Sequence, residues 1–232
     1  MKIMWNGRDV TGRFRMEATP EAYDGVPPID VLLMDRDMPQ VNNDLLGISS
    51  VLAFGEYCEG RLELPRTVSP EAASAIEEFL EPARVRVSDV EYEPFANSLG
   101  EGYLYLDLEG ILQIPAPNIL GTERVAAVSV LNSAAFSGAL ASMDGVALGS
   151  NAAVLGKLCQ SESSFLPSLA VAVLFAESLR ARTIVVEDPL ISDSGFRTKL
   201  SNLLGGCKLM LINKTEFIAI RDDLVYRKAL SN

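Results

Sequence analysis

The most constraining feature of the sequence is an apolar segment, residues 165–176, whose only polar side chain is the hydroxyl of Ser168. Pro167 suits the first turn of a helix, where its missing N–H leaves no hydrogen bond unmade. Charged side chains return only toward the C-terminal end, at Glu177 and Arg180. A helix that is apolar on every side must be covered on every side. We therefore predict a buried central helix over residues 165–180.

The residues after this segment alternate between strand and helix patterns. A helix is predicted over residues 193–204, ended by Gly205-Gly206, with strands over residues 183–186, 208–212 and 217–220. Continuous apolar strands flanked by helices are typical of a sheet that is covered on both faces. The C-terminal portion is therefore predicted to be an α/β structure built around the central helix.

The N-terminal portion instead shows short apolar runs separated by turn residues. One helix is expected over residues 69–81, because Ser69 can cap it and Pro70 suits its first position. Glu109-Gly110 between two alternating runs is a hairpin signal. Strand patterns occur at residues 13–16, 29–34, 51–64, 103–108 and 111–114, and Asn42-Asn43 and Gly47 indicate a loop. This portion is predicted to be β-rich and mainly antiparallel.

Prolines and a glycine between residues 115 and 121 mark the best candidate boundary. They divide the chain into portions 1–117 and 118–232, with one continuous domain as the alternative. In the second portion, residues 131–158 are rich in Ala, Ser and Gly and are expected to form short helices and turns. The predicted fold class is α/β, with α+β left open: an acidic, mainly antiparallel N-terminal portion packed on a C-terminal α/β portion.

Charge is distributed unevenly along the chain. Residues 1–120 contain 9 Lys and Arg against 21 Asp and Glu, whereas the remainder contains 11 against 10. An acidic surface repels phosphate groups, so binding to nucleic acid is not expected. The excess of acid favours a basic protein partner, with a solvated acidic surface as the simpler interpretation. A homo-oligomer is also left open.

Some classes of chemistry are excluded by residues that the sequence lacks. It contains no histidine, which removes the commonest general base and the commonest transition-metal ligand. Cys58, Cys159 and Cys207 show neither a disulfide framework nor the spacing of a zinc site. No apolar stretch is both long and uninterrupted enough for a bilayer, and residues 1–9 lack a secretory pattern. We expect a soluble, cytoplasmic protein with no membrane partner and no cofactor.

Two acidic clusters follow predicted strands. Asp35 and Asp37 come after one apolar run, and Glu187 and Asp188 come after another. If the two strands are parallel neighbours, both clusters lie at the edge of the sheet where open α/β sheets bind ligands. Carboxylates grouped in this way can share a hard cation such as Mg²⁺. The structural alternative is that Asp193 or a neighbouring serine caps the next helix and that the other acids are ordinary strand ends.

In outline, these clusters resemble those of haloacid-dehalogenase-type phosphatases, which place Asp-x-Asp after a first strand and an acidic metal motif after a later one. The resemblance covers about residues 29–39 and 183–212. It implies a nucleophile, a general acid and a set of Mg²⁺ ligands. Those roles would fall to Asp35 as nucleophile, Asp37 as acid, and Asp35, Glu187 and Asp188 as metal ligands.

The sequence departs from that family at several points. Met38-Pro39 stands where the family has a Gly/Thr-type continuation, and Ser133 and Lys157 are arbitrary counterparts of its middle Ser/Thr and Lys. Residues 30–39 also resemble the phosphorylation strand of a receiver domain, but no upstream strand ends in the acidic pair that this fold requires. The receiver-domain interpretation is therefore rejected.

Two functional hypotheses follow from the sequence. The first is an accessory or protein-interaction component without a catalytic centre, because no chemical motif is complete. The rival is a Mg²⁺-dependent hydrolase or phosphotransferase that uses the strand-end carboxylates, and Mg²⁺ is a cofactor only under this hypothesis. Binding of a small ligand at the glycine-rich centre is a third alternative.

Overall fold

The structure is a computed structural model that describes residues 1–38, 40–93, 99–108, 124–142, 144–159 and 163–230, with side chains as far as residue 223. Its strands are β1 (Lys2–Asn6), β2 (Phe14–Thr19), β3 (Val31–Met34), β4 (Arg61–Leu62), β5 (Arg86–Val87), β6 (Gly102–Asp107), β7 (Val125–Asn132), β8 (Ala139–Ser142), β9 (Gly145–Ser150), β10 (Ala181–Val186) and β11 (Met210–Asn213). Its helices are α1 (Asn43–Phe54), α2 (Pro70–Phe79), α3 (Ala152–Leu158), α4 (Leu166–Phe175), α5 (Ser194–Gly205) and α6 (Lys214–Leu230).

A nine-stranded mixed sheet runs through the described residues. Its order is β1-β2-β3-β9-β7-β6-β10-β11, and β8 pairs with β9 outside this path. β1, β2 and β3 are antiparallel to one another, whereas β9, β7, β6, β10 and β11 are all parallel. β3 joins the two sets through one antiparallel pair, Met34 with Ser150. The described residues thus form a mixed α/β architecture, which confirms the predicted fold class.

The central helix is present and buried as predicted. All ten residues of α4 are buried, and α4 packs against α1 and against the strands β6 and β7. It is shorter than predicted, because the chain turns after Phe175. Arg180 takes a left-handed backbone conformation, with φ of 53°, as the chain enters β10.

Helix α1 contradicts the prediction of extended structure at residues 51–64 and of a loop around Asn42 and Gly47. Asn42 caps the helix by accepting a hydrogen bond from the backbone N–H of Asp44 at 2.9 Å. Gly47 is needed within α1 because a Cβ there would lie 2.6 Å from Cγ1 of Val68. Every residue from 45 to 54 is buried, so the helix lacks the polar stripe that would have revealed its period.

The predicted capping residues are confirmed for two helices. Ser69 accepts a hydrogen bond from the backbone N–H of Ala72 at 3.2 Å and begins α2. Asp193 accepts one from the backbone N–H of Phe196 at 2.6 Å and begins α5. Asp193 is therefore a helix cap, which was the structural alternative to a role in an acidic cluster.

Two other local predictions are wrong. Residues 217–220 belong to α6 and not to a strand, because Asn213 and Glu216 cap this helix reciprocally, each side chain accepting the other's backbone N–H at 2.7 and 3.1 Å. Residues 131–158 contain β8 and β9 as well as α3. Small residues serve close strand packing here, since a Cβ on Gly145 would collide with the carbonyl oxygen of Ala127.

The two faces of the parallel strands are covered differently. One face joins the main core, which includes residues of α1, α2, α4 and α5. The other face carries a smaller buried group: Tyr105, Val125, Ala127, Val185 and Phe217. Side chains alternate between the faces of a strand, so residues 105, 107, 129 and 187 belong to the second face.

The predicted boundary at residues 115–121 and the second hairpin strand at 111–114 lie outside the described residues. β6 comes from the first predicted portion and pairs with β7 and β10 of the second. Among the residues described, no helix has the length and apolar character needed to cross a bilayer.

Candidate functional site

Asp35 lies at the end of β3 and joins three segments of the chain. Its carboxylate is paired with Nε of Arg13 at 2.9 Å and accepts the backbone N–H of Gly138 at 2.8 Å. Its own backbone N–H donates to the carbonyl of Gly149 at 2.9 Å. A Cβ on Gly149 would lie 2.6 Å from the Asp35 carboxylate, so glycine is what makes room for it. These contacts describe a carboxylate that holds β3 to the β8–β9 hairpin.

Asp37 lies in a more open environment. Its carboxylate is 3.8 Å from Nε of Arg8, and its side chain is 42% exposed. Both predicted catalytic acids therefore have an arginine partner. A catalytic role for Asp35 and Asp37 stays a prediction. The second acidic pair that this role was expected to involve, Glu187 and Asp188, does not lie in this part of the structure.

The assumption that β3 and β10 are parallel neighbours is wrong. β3 is antiparallel to the parallel set, and β9, β7 and β6 separate it from β10. Four strand spacings amount to about 19 Å, which is too far for one ion to bridge Asp35 and Glu187 or Asp188. Within the described ranges, no group of three or more Cys, Asp or Glu side chains is placed to hold a metal ion.

The parallel strands define a different location for a site. The chain lays down β6, β7 and β9 in one direction across the sheet and then places β10 and β11 on the opposite side of β6. The order reverses between β6 and β10. Ligands in open α/β sheets bind at such a reversal, beyond the carboxyl ends of the strands. The side chains at the ends of β6 and β10 are therefore the relevant candidates.

Asp107 is the last residue of β6 and is only 7% exposed. It accepts a hydrogen bond from the hydroxyl of Ser129 on the adjacent strand β7 at 2.6 Å, and Ser129 is fully buried. The register pairs Asp107 with Ser129 directly. A buried carboxylate thus lies at the carboxyl end of the central parallel strand, held by a hydroxyl from its neighbour.

Glu187 follows β10 on the other side of β6. Its carboxylate accepts hydrogen bonds from the hydroxyl of Tyr105 and from Nζ of Lys214, the latter at 2.9 Å. Nζ of Lys214 also lies 6.0 Å from the centre of the Tyr105 ring. The β6–β10 register pairs Tyr105 with Val185, so Asp107 and Glu187 each lie two residues beyond this pair in the sequence. We refer to Tyr105, Asp107, Ser129, Glu187 and Lys214 as the switch-point cluster.

A second ion pair borders the cluster. Arg197 donates to Glu216 at 2.6 Å, and this hydrogen bond, opposed by burial, lowers the pKa of the Glu216 carboxyl. The negative charge of Asp188 acts in the opposite direction and raises the pKa of the same carboxyl. Of the predicted metal ligands, Glu187 is paired with Lys214 at this edge, and Asp188 follows it directly in the chain.

The switch-point cluster combines hydrogen-bond acceptors with one cation. Glu187 and Lys214 are 41% and 43% exposed, whereas Asp107 and Ser129 are buried. The cluster therefore combines a buried carboxylate with a partly exposed ion pair. Carboxylate oxygens accept from hydroxyl or amino groups, and an ammonium donates to oxygen acceptors.

A weak signal for this site is present in the sequence. Residues 103–106 form an apolar run followed by Asp107, as residues 31–34 are followed by Asp35, but Glu109-Gly110 indicated a hairpin at this point. Ser133 and Lys157, the arbitrary counterparts of the phosphatase residues, are both exposed and do not belong to the cluster. Lys214 had no local motif that could have revealed it.

In comparisons with known proteins, no protein-family model, no curated protein and no solved structure matches the chain.

Proposed function

We propose that the protein binds a small ligand bearing vicinal hydroxyl groups at the carboxyl edge of β6 and β10. The observation that carries the proposal is the position of the switch-point cluster where the strand order reverses. Sheets of this kind bind ligands at that position, and an acid near it commonly accepts hydrogen bonds from the hydroxyls of a ribose. Asp107 and Glu187 supply such acceptors from neighbouring strands.

The difference in burial across the cluster supports the same proposal. Asp107 is buried and held by Ser129 at 2.6 Å, so its orientation is fixed before a ligand arrives. The side chains of Glu187 and Lys214 are 41% and 43% exposed. They can therefore exchange their mutual hydrogen bond for contacts with a ligand. A fixed acceptor beside adaptable charged groups suits a ligand that carries both donors and acceptors.

A ribonucleoside is the simplest probe for this proposal. Adenosine at millimolar concentration should raise the melting temperature, because a ligand that binds only the folded state stabilises it. 2′,3′-Dideoxyadenosine, which lacks the two hydroxyls, should produce no rise. Asp107→Asn should abolish the effect of adenosine, and Asp35→Asn should leave it intact. Equal shifts with both compounds, or none with adenosine, guanosine, cytidine or uridine, would contradict the proposal.

A Mg²⁺-dependent hydrolase or phosphotransferase is the second candidate, with Asp107 in place of Asp35. Asp107 ends the central parallel strand, and Glu187 and Asp188 follow its neighbour β10. This is the relation that the resemblance to haloacid-dehalogenase-type phosphatases required of Asp35. Asp107-Leu108-Glu109 also has the acid-x-acid spacing in the sequence.

Turnover of p-nitrophenyl phosphate with and without Mg²⁺ separates this candidate from simple binding. Hydrolysis that needs Mg²⁺ and is lost in Asp107→Asn but kept in Asp35→Asn is the expected result. If activity is lost only in Asp35→Asn, Asp35 and not Asp107 is the nucleophile. Absence of turnover in the wild-type protein would count against a phosphatase.

The role as an accessory or interaction component, with a basic protein partner, stays a prediction alongside these proposals. It is supported by the excess of acid in residues 1–120. A partner attracted by that charge should be released by salt, because salt screens charges at a surface. Retention of the same partner at low and high ionic strength would contradict it.

A further inference from the structure

A second candidate site is a cavity of about 580 Å³ between the ends of several helices. The ends of α1, α2 and α3 and the beginnings of α4 and α5 contribute to its walls. None of the five residues of the switch-point cluster lines it. The volume lies within the range of about 300–1,000 Å³ that is typical of small-molecule sites.

Apolar groups form slightly more than half of the walls of this cavity. Leu52, Leu80 and Leu166 belong to the buried core, while the rings of Phe79 and Phe196 are only partly buried. The two rings therefore present apolar surface to the cavity. A ligand here would gain affinity from an apolar body that covers this surface.

Among the described residues that line the cavity, the charged side chains all have the same sign. They are Glu56, Glu59 and Glu81, and none of these described lining residues is Lys or Arg. Lys199 approaches the rim, but its Nζ donates to the backbone carbonyl of Glu81 at 3.2 Å and not to the carboxylate. A cation in this cavity is therefore attracted by three carboxylates, whereas an anion is repelled.

Glu56 is the carboxylate whose position is best defined. It accepts a hydrogen bond from the hydroxyl of Ser163 at 3.3 Å. Burial, together with the charge of Glu56, raises the pKa of the Cys159 thiol to about 11. The thiol is thus protonated at neutral pH and donates to the backbone carbonyl of Leu155 at 3.4 Å, so Cys159 is not a nucleophile and Ser163 is the residue that orients the carboxylate.

We propose that this cavity binds a small apolar amine, with its ammonium group on Glu56 and its apolar body against Phe79 and Phe196. An oriented carboxylate beside an apolar surface matches the two parts of such a molecule. The charge of the amine is complemented by Glu59 and Glu81 at the rim. The site is independent of the ligand proposed for the switch-point cluster.

A series of three naphthalene derivatives tests the proposal through their fluorescence. 2-(1-Naphthyl)ethylamine should bind, 2-(1-naphthyl)ethanol should bind about tenfold more weakly or worse, and 1-naphthylacetate should bind least. A charge-assisted hydrogen bond is worth at least about one factor of ten. Equal binding of amine and alcohol, or strongest binding of the acetate, overturns the proposal, as does no binding of the amine at millimolar concentration.

Two variants locate the binding within the cavity. Glu56→Gln keeps the size of the side chain and removes its charge, so affinity for the amine should fall by about tenfold while affinity for the alcohol is unchanged. Ala83→Phe fills part of the cavity and should weaken binding of both. Glu71→Gln, an exposed acid outside the cavity, is the matched control. If Ala83→Phe does not fold, Glu56→Gln still decides, because equal effects of Glu56→Gln and Glu71→Gln overturn the assignment.

Discussion

Asp35 and Asp107 each lie at the carboxyl end of an apolar strand, and both are little exposed: the side chain of Asp35 is 9% exposed, and the whole residue Asp107 is 7% exposed. The partners that the structure gives them differ. Asp35 is bound by the guanidinium of Arg13 and by a backbone N–H of another segment. Asp107 accepts a hydrogen bond from the hydroxyl of Ser129, and the adjacent strand β10 is followed by a second acid, Glu187.

The difference follows from the place of each strand in the sheet. β3 is antiparallel to its neighbours, and its end runs into the β8–β9 hairpin, where the Asp35 carboxylate ties the segments together. β6 is the central parallel strand, and its end opens onto the reversal of strand order. A strand followed by an acid is thus insufficient to indicate function. The direction and neighbours of the strand decide whether the acid is structural or available to a ligand.

The largest effect is expected from a substitution in α4, because this helix packs against β6, the strand that ends in Asp107. Leu174 is 1% exposed, so Leu174→Ala should lower the free energy of unfolding by about 2–5 kcal/mol. Leu174→Asp would bury an unpaired charge and should prevent folding. Urea denaturation measures the first, and circular dichroism with gel filtration measures the second. A soluble, cooperatively folded Leu174→Asp protein would show that α4 is not central to the core.

The next largest effect separates Asp35 from its neighbour Asp37. Asp35→Ala removes a nearly buried ion pair and leaves the backbone N–H of Gly138 without its acceptor, so the free energy of unfolding should fall by about 2–3 kcal/mol. Asp37→Ala is the matched control. Its contact with Arg8 is long, at 3.8 Å, and exposed, so the loss should be below about 1 kcal/mol. Equal losses in the two variants would refute the structural role given to Asp35.

The sequence was most informative where one local pattern left no alternative. An apolar run without a polar face could only be a buried helix, and it is α4. Ser69 was predicted as a cap, and Asp193 or a neighbouring serine was an alternative for the later helix, because capping needs only a side-chain oxygen and the next turn of the chain. Helix α1 is also buried, from residue 45 to residue 54. It was not predicted, because its glycine and paired asparagines indicated a loop.

The candidate site could not be predicted because it depends on pairing between distant strands. Asp107 and Glu187 are 80 residues apart, and only the order of the sheet brings β6 and β10 together. The same uncertainty produced the wrong partnership of Asp35 with Glu187 and Asp188. Local patterns identified strand ends correctly in both places, but no local pattern encodes which strand lies next to which.

A smaller effect tests the space around Asp35. Gly149→Ala would place a methyl group against the Asp35 carboxylate and the carbonyl of Phe136, both 2.6 Å from the added Cβ. Overpacking of this kind should cost about 1–3 kcal/mol of unfolding free energy. Gly205→Ala is the control, since a Cβ there meets nothing within 4 Å and the change should be neutral or stabilising by up to about 1 kcal/mol. If Gly149→Ala leaves the free energy of unfolding unchanged, the packing between β3 and the β8–β9 hairpin is loose.

The smallest effect on stability is expected at Asp107 itself. Asp107→Asn keeps the size of the side chain and an oxygen that can accept the hydrogen bond from Ser129. Because this hydrogen bond can be kept, the substitution removes little more than the carboxylate charge. The free energy of unfolding should therefore change by less than about 1 kcal/mol. The same variant should lose the stabilisation by adenosine, which requires two carboxylate acceptors at the switch-point cluster. Urea denaturation with and without the nucleoside measures both quantities in one experiment. A destabilisation as large as that of Asp35→Ala would mean that Asp107 is also a structural carboxylate, and the contrast between the two strand ends would then disappear.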